Sequence, residues 1–298
     1  MQYFKRTYKL NFPTIGFSIA DSLEVSFSVD KDLTPESNKA RVEILNLSDK
    51  SRAQLETADL PVEIYAGYDG EAVLLYKGTV FSAKTTREEK DEKTALELGD
   101  GVKNLRDNVF SLSYPPGTSA RTVLSAIASH MGLPLVFGAE VKFSSFPSGF
   151  SYAGYGRAAL DEVCRAGGLT WSIQNDVLQV IMAGGVLTNR GIAFGTDSGL
   201  IGSPERIVKS NYRKDGKTLK RRKRQKEQKE DPVKSRGWKI KTLLAPSVNP
   251  GDAVKVNSKL VTGWFRVNKI SHKGDYMGSD WTSEMELIEG LHDNADTE

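Results

Sequence analysis

The 298-residue chain has a single cysteine, Cys164, and three histidines, His130, His272 and His292. One thiol excludes an internal disulfide framework and any cysteine-rich zinc site, so stability has to come from packing, and folding in a reducing cytoplasm fits. The three histidines fall in different predicted elements or in the C-terminal tail, which leaves no convergent set for metal ligation or acid–base catalysis. No stretch approaches the ~18 apolar residues of a membrane span. The opening MQYFKRTYKLNF has early positive charge but no apolar segment before a small-residue cleavage site, so neither secretion signal nor membrane span is expected.

Phosphate-binding motifs are lacking too. The glycines of MAGGVLTNRGIAFGTDSGLIG offer neither a Gly-Lys-Ser/Thr ending nor a strand-to-helix GxGxxG, and turns and bulges account for them. Cys164 sits on the apolar face of a predicted helix with no base beside it, where a thiol acts as a small hydrophobe. The pair Glu88-Glu89 lies in a charge-rich hairpin tip rather than across a cleft. No enzyme signature, cofactor site or metal site is found.

What is present is mostly β. LEVSFSV places Leu23, Val25, Phe27 and Val29 on one side of a strand, and in ARVEIL Ala40, Val42 and Ile44 alternate against Arg41 and Glu43. Ser48 is the expected N-cap of a short helix over DKSRAQLE. A strand, a turn at Asp69-Gly70, a second strand, a charged loop at 88–93 and TALELG follow. Downstream of Tyr114-Pro115-Pro116-Gly117, SARTVLSAIASHMG predicts a helix capped by Ser119 and stopped by Gly132, with an apolar stripe at Val123, Leu124, Ile127, Ala128 and Met131. His130, near its end, is placed to face the helix dipole. A second helix is predicted over 157–166, with Leu160, Val163 and Cys164 on one face. A hairpin turning at Asn175-Asp176 comes next, and the last third returns to strands, closing with the pair GWFRVNKISHKGD and DWTSEMELIEG. The expected class is α+β, mainly β: two small antiparallel barrels or sandwiches with an α/β module between them.

Charge is concentrated in one place. With 41 Lys+Arg against 38 Asp+Glu the formal net charge is +3. Residues 209–236 alone carry about +9, which leaves about −6 for the rest. The segment includes TLKRRKRQKEQKED and has no aromatic between Tyr212 and Trp238, so base stacking is missing and only salt-sensitive attraction to phosphate remains. Three readings stay open: a solvated insertion, a contact for an acidic protein surface, or a polyanion contact through residues 217–226. Lys220, Arg221, Arg222, Lys223 and Arg224 are the candidate partner-binding residues.

The order of the pieces resembles that of the tail hub (baseplate hub) proteins of tailed bacteriophages, especially contractile-tailed ones. The stretches are NKARVEILNLS with SRAQLE, VEIYAGYDG with YKGTV, ELGDG, SYPPGTSARTVLSAIA, GLTWSIQNDVLQVI, GLIGSPERI and GDYMGSDWTSEMEL, in that sequence from about Leu23 to Glu289. The resemblance implies a non-enzymatic virion protein, made in the host cytoplasm, with two tube-type β-barrel domains per chain. On that pattern residues 1–108 form the first tube domain, 109–184 the small α/β domain and 185–298 the second tube domain. It also implies a homotrimer whose six barrels ring a DNA channel and join a six-fold tail tube, or its initiator, to a three-fold central spike, beside other baseplate proteins. The basic segment, residues 210–236, departs from the pattern as a loop insertion. A nucleic-acid-binding β-barrel using that segment is the alternative, and a cell-wall hydrolase is disfavoured because no extra catalytic domain fits.

Overall fold

A computed structural model describes residues 5–57, 59–88, 90–187, 191–209 and 235–289. The first third holds β1 (Arg6–Phe12), β2 (Phe17–Ala20), β3 (Val25–Asp32), β4 (Lys39–Leu45), α1 (Asp49–Leu55), β5 (Leu60–Tyr68), β6 (Glu71–Glu88) and β7 (Asp91–Gly99). The middle holds α2 (Val102–Asp107), β8 (Val109–Tyr114), β9 (Thr118–Ser119), α3 (Ala120–Met131), β10 (Leu135–Phe137), β11 (Ser145–Phe146), β12 (Phe150–Tyr155), α4 (Gly156–Gly167), β13 (Leu169–Gln174) and β14 (Val177–Met182). The last third holds β15 (Gly191–Gly195), β16 (Leu200–Lys209), β17 (Ser235–Leu243), β18 (Ala253–Asn257), β19 (Thr262–Asp275) and β20 (Trp281–Ile288). The fold is α+β and mainly β, with antiparallel pairing dominant, as the alternation of the sequence indicates.

Local chemistry explains the main turns and caps. Asp69 and Gly70 have φ of 54° and 84°, and Asn175 and Asp176 have φ of 54° and 60°. Both pairs make the left-handed two-residue connection whose twist matches the strands it joins, and Asp, Asn and Gly tolerate it. Ser48 caps α1, accepting from the Ser51 N–H at 3.3 Å, and Ser119 caps α3, accepting from the Arg121 N–H at 3.3 Å. Helices α3 and α4 stop at Gly132 and Gly168, at φ of 66° and 64°, where a side chain would be strained. The charged loop expected at 88–93 is shorter than that, because the β6–β7 ladder runs out to Glu88 opposite Asp91.

Three hydrophobic cores form. The first gathers the inward residues of β1 and β3–β7, among them Tyr8, Phe12, Phe27, Ile44, Ile64 and Leu98. The second packs α3 and α4 on β13 and β14 through Leu124, Ile127, Leu160, Val163, Trp171 and Val180. The third lies under the last strands and includes Ile240, Val254, Phe265, Val267, Ile270 and Met285. Trp281 of β20 belongs to the first core, although it lies in the last third of the chain. Its ring meets Phe27 edge-on at 5.4 Å between centroids, and its Nε1–H donates to the Gly67 carbonyl at 3.2 Å. Such an aromatic pair contributes about 0.5–1.5 kcal/mol beyond simple burial.

The first and last thirds share one sheet of thirteen strands. Its main path runs β16-β17-β20-β19-β3-β4-β7-β6-β5-β1-β2, and β15 and β18 attach beside β19. The join is made within β19. Its residues 262–266 pair with β18, whereas residues 269–275 pair with β3, from Lys269 opposite Asp32 to Asp275 opposite Ser26. A bulge between Val267 and Lys269 marks the change of neighbour. Among the described residues the one parallel pair in this sheet is β15 with β18.

Candidate functional site

Lys220, Arg221, Arg222, Lys223 and Arg224 lie outside the described residues, as do the whole segment 210–234, Glu89 and His292. The flanks of the basic segment are described: Lys209 and Ser235 are cross-strand neighbours in the β16–β17 pair, so the segment leaves and re-enters the sheet at one point.

The remaining residues weighed for chemistry take other parts. His130 occupies the last turn of α3 and stacks on Phe110 at 4.9 Å. His272 is buried in the sheet with Nδ1 2.8 Å from Ser283 Oγ, and burial, reinforced by the charge of Lys31, holds its pKa well below the usual value. Cys164 is buried among α3 and α4, and burial pushes its thiol up to about 12. Among the described residues no three of His, Cys, Asp and Glu gather as metal ligands, and no helix is long and apolar enough to cross a membrane.

The polar feature that stands out is Lys31. It continues the inward series Val25, Phe27, Val29 and so lands on the core side of β3, with 1% of its surface exposed. Its Nζ donates to the Leu75 carbonyl at 2.5 Å, to Asn175 Oδ1 at 2.9 Å and to Asn249 Oδ1 at 2.8 Å. These acceptors come from β6, from the β13–β14 turn and from the loop before β18, that is, from each third of the chain. Three acceptors match the three protons of an ammonium group. Burial still lowers the pKa of Lys31 to about 7, opposed by the charges of Asp100 and Asp252.

Around the lysine the polar groups are closely matched. Asp100, with none of its surface exposed, accepts from the Asn38 N–H at 2.7 Å, Asn38 Nδ2 at 2.8 Å and the Asn175 N–H at 3.2 Å. Burial raises Asp100 to about 7, against the lowering effects of the Asn38 bonds and Lys31. Asn38 Nδ2 also reaches the Ile173 carbonyl and Gln174 Oε1, while Gln174 Nε2 donates back to the Asp32 carbonyl at 2.7 Å. Gln179 Nε2 donates to the Pro250 carbonyl at 2.9 Å, tying the middle third to the last. The Gly101 N–H donates to Asp176 Oδ1 at 2.9 Å, and the Asn249 N–H to Asp252 Oδ2 at 2.8 Å. The cluster ties three packed units together in one mutual arrangement, since a buried network of this kind is satisfied in only one geometry.

Surface features complement this. An apolar groove of about 430 Å³ runs between the β5–β6 turn and the last third, lined by Tyr68, Val73, Ile192, Phe194, Leu243 and Leu244. Strands β2 and β16 end the main path of the sheet, so each presents an unpaired edge there among the described residues.

No protein-family profile and no curated protein sequence matches the chain. Solved structures do. A tail protein from Neisseria meningitidis superposes with a TM-score of 0.64 at 13% identity, covering 96% of this chain and 97% of that one. The 43 kDa tail protein of prophage MuSo2 from Shewanella oneidensis gives 0.65 at 10% identity, covering 95% and 98%. A type VI secretion component from Escherichia coli, itself structurally similar to the T4 bacteriophage tail proteins gp27 and gp5, gives 0.56 at 10% identity over 95% of this chain and 77% of that one. At such identities the likeness is one of architecture, and it extends over nearly the whole chain: this protein has the fold of these phage tail proteins.

Proposed function

We propose that the chain is a structural hub of a bacteriophage tail baseplate, present in the virion and made in the host cytoplasm. Three copies close into a ring whose six β units abut the six-fold tail tube on one side and the three-fold spike on the other, around a DNA channel. The observation that carries this reading is the match of nearly the whole chain, both β thirds and the α/β unit together, to two tail proteins over 97% and 98% of their solved chains. The three cores fit a division at 1–108, 109–184 and 185–298, with Leu244 and Trp281 of the last third packing into the first core and Leu105 against the second. The open edges of β2 and β16 supply unpaired backbone groups for neighbouring subunits to cover. The part played is architectural rather than catalytic, in keeping with a buried polar cluster that positions units and exposes no reactive group.

Light scattering of the purified chain is expected to give about three times 32.8 kDa. A three-fold particle density with one β unit per chain, or a solitary copy in an intact virion, would overturn the ring. The charge of about +9 over 209–236 favours a second reading, nucleic-acid binding through 217–226. That reading requires duplex affinity to fall steeply with salt and to vanish on deletion of 211–235.

A further inference from the structure

The two β thirds share one sheet, but the α/β unit is attached differently. Among the described residues its strands form three small sheets of their own, β10-β14-β13, β11-β9 and β12-β8, and none of them pairs with the thirteen-stranded sheet. No described residue of 109–184 belongs to the first or the third core. What crosses the seam is chiefly polar, and it gathers at one place, the β13–β14 turn. There the Asn175 N–H donates to Asp100 Oδ2, the Gly101 N–H to Asp176 Oδ1, and the Lys77 N–H and Lys31 Nζ to Asn175 Oδ1. The turn sits as a plug in a socket made by β3, β6 and the residues that follow β7. On separation each of these groups regains a bond to water, so the net preference for the joined state is modest. Packed units that meet through polar groups, without a common apolar core, are the ones that move relative to each other.

Both crossings of the seam are made at glycine. The chain enters at Gly101, φ 59°, directly after Asp100, whose N–H is held by the Asn38 carbonyl at 3.3 Å. It leaves through Gly184, φ 85°, and Gly185, shortly before Leu187, whose N–H is held by the Gly251 carbonyl at 2.8 Å. Each crossing therefore has an anchored residue on the side of the sheet and, next to it, the residue type whose φ and ψ change at least steric cost. Helix α2 belongs with the α/β side, since Leu105 packs on the second core and Asn104 Nδ2 donates to the Met131 carbonyl at 2.6 Å. The seam also leaves room. A cleft of about 390 Å³ lies between Thr170 and Ala183 on one side and Leu33, Arg266 and Asn268 on the other. The bonds beside it are again polar: Arg266 Nη1 donates to the Gly185 carbonyl at 3.2 Å, and Gln179 Nε2 to that of Pro250.

We infer that residues 102–183 form a swinging head: the β13–β14 turn leaves its socket and the α/β unit moves as one body about Gly101 and Gly184–Gly185, while the two β thirds, joined through β19, stay in place. The inference goes beyond the hub reading and does not rest on it.

Native-state hydrogen exchange of the full chain, read residue by residue, tests this. A swing opens the Gly101 and Asn175 amides together. They exchange faster than the amides of α3 or of the β3–β4 ladder, and without the denaturant dependence of global unfolding. Asn175→Gly then removes the acceptor carried by the plug and keeps a backbone that glycine accepts at the native φ of 54°. Exchange at Gly101 should quicken about tenfold or more, as expected when a charged donor loses its acceptor, with α3 and β3–β4 unchanged. One common rate for seam and core amides in the parent chain makes the molecule a single body and overturns the swing. Different rates at Gly101 and Asn175 mean local fraying and overturn it too. So does an unchanged Gly101 rate in the variant, or a quickening of α3 along with the seam, which means that the α/β unit unfolds where it stands. The parent-chain rates decide the matter even where the variant does not fold.

Discussion

Replacing Lys31 by Met tests the central claim about the junction, because the side chain keeps its length and loses only its ammonium group. The three acceptors it leaves, the Leu75 carbonyl and the Asn175 and Asn249 amide oxygens, are each worth about 1–3 kcal/mol when stranded. Against this, a lysine held at about 7 instead of 10.5 is destabilising in its charged form, by about 5 kcal/mol below that pH. The sign follows from proton counting: between pH 7 and 10.5 the unfolded chain binds the proton and the folded chain has released it, so native stability rises with pH. From pH 7 to 9 the gain is about 3 kcal/mol at most. Asp100 works in the opposite sense at lower pH, since an acid raised from 3.8 to about 7 loses its stabilising contribution as pH climbs through that window. Urea unfolding followed by tryptophan fluorescence at pH 7 and 9 should therefore show the Met variant less stable relative to the parent at pH 9 than at pH 7, by up to about 3 kcal/mol. Equal destabilisation at the two values would refute the reasoning, because it would mean that Lys31 does not titrate in that interval.

Other expectations are simpler. A Cβ at Gly274 would sit 2.1 Å from Phe27 Cζ, so Gly274→Ala should lower stability by about 1–3 kcal/mol, and adding Phe27→Leu should recover part of the loss in a double-mutant cycle. Cys164, buried with its thiol pushed up to about 12, should resist aromatic disulfide reagents at pH 8 in the native protein and react at once in denaturant. Neutralising Lys220, Arg221, Arg222, Lys223 and Arg224 together should weaken a partner contact in pull-down from tail preparations while the scattering mass stays unchanged. Loss of the oligomer on that change would count against a peripheral role for the segment.

Much of the architecture is legible in the sequence because the inward residues alternate so regularly. Val25, Phe27 and Val29, Ala40, Val42 and Ile44, and Trp281, Met285 and Leu287 are all buried, and the helix stops at Gly132 and Gly168 lie where the stripes end. Periodicity is silent on pairing over long separations. Nothing local in GWFRVNKISHKGD says that its second half lies against β3, more than two hundred residues earlier, or that Trp281 fills the first core. The N-terminal β1 and β2 are hidden in a stretch whose charges draw attention away from Tyr8, Leu10 and Phe12. The junction had one local signal, a lysine two residues beyond Val29 in the inward series, and it takes the Asn175 and Asn249 turns to give that lysine a meaning.

The strand β19 has a mechanical consequence. A chain that merely tethered two folded units by a linker would let each tilt on its own, and a pull along the axis would open them like a hinge. Here the same backbone segment is laced into the strands of both, and its bonds to β3 lie side by side across a load directed along the strands. Such bonds share a shearing force and give way together, whereas a peeled edge yields one bond at a time. The first and last thirds are thus joined through a shared strand rather than a tether, with the register shift at Val267–Lys269 at the point where β19 changes neighbours.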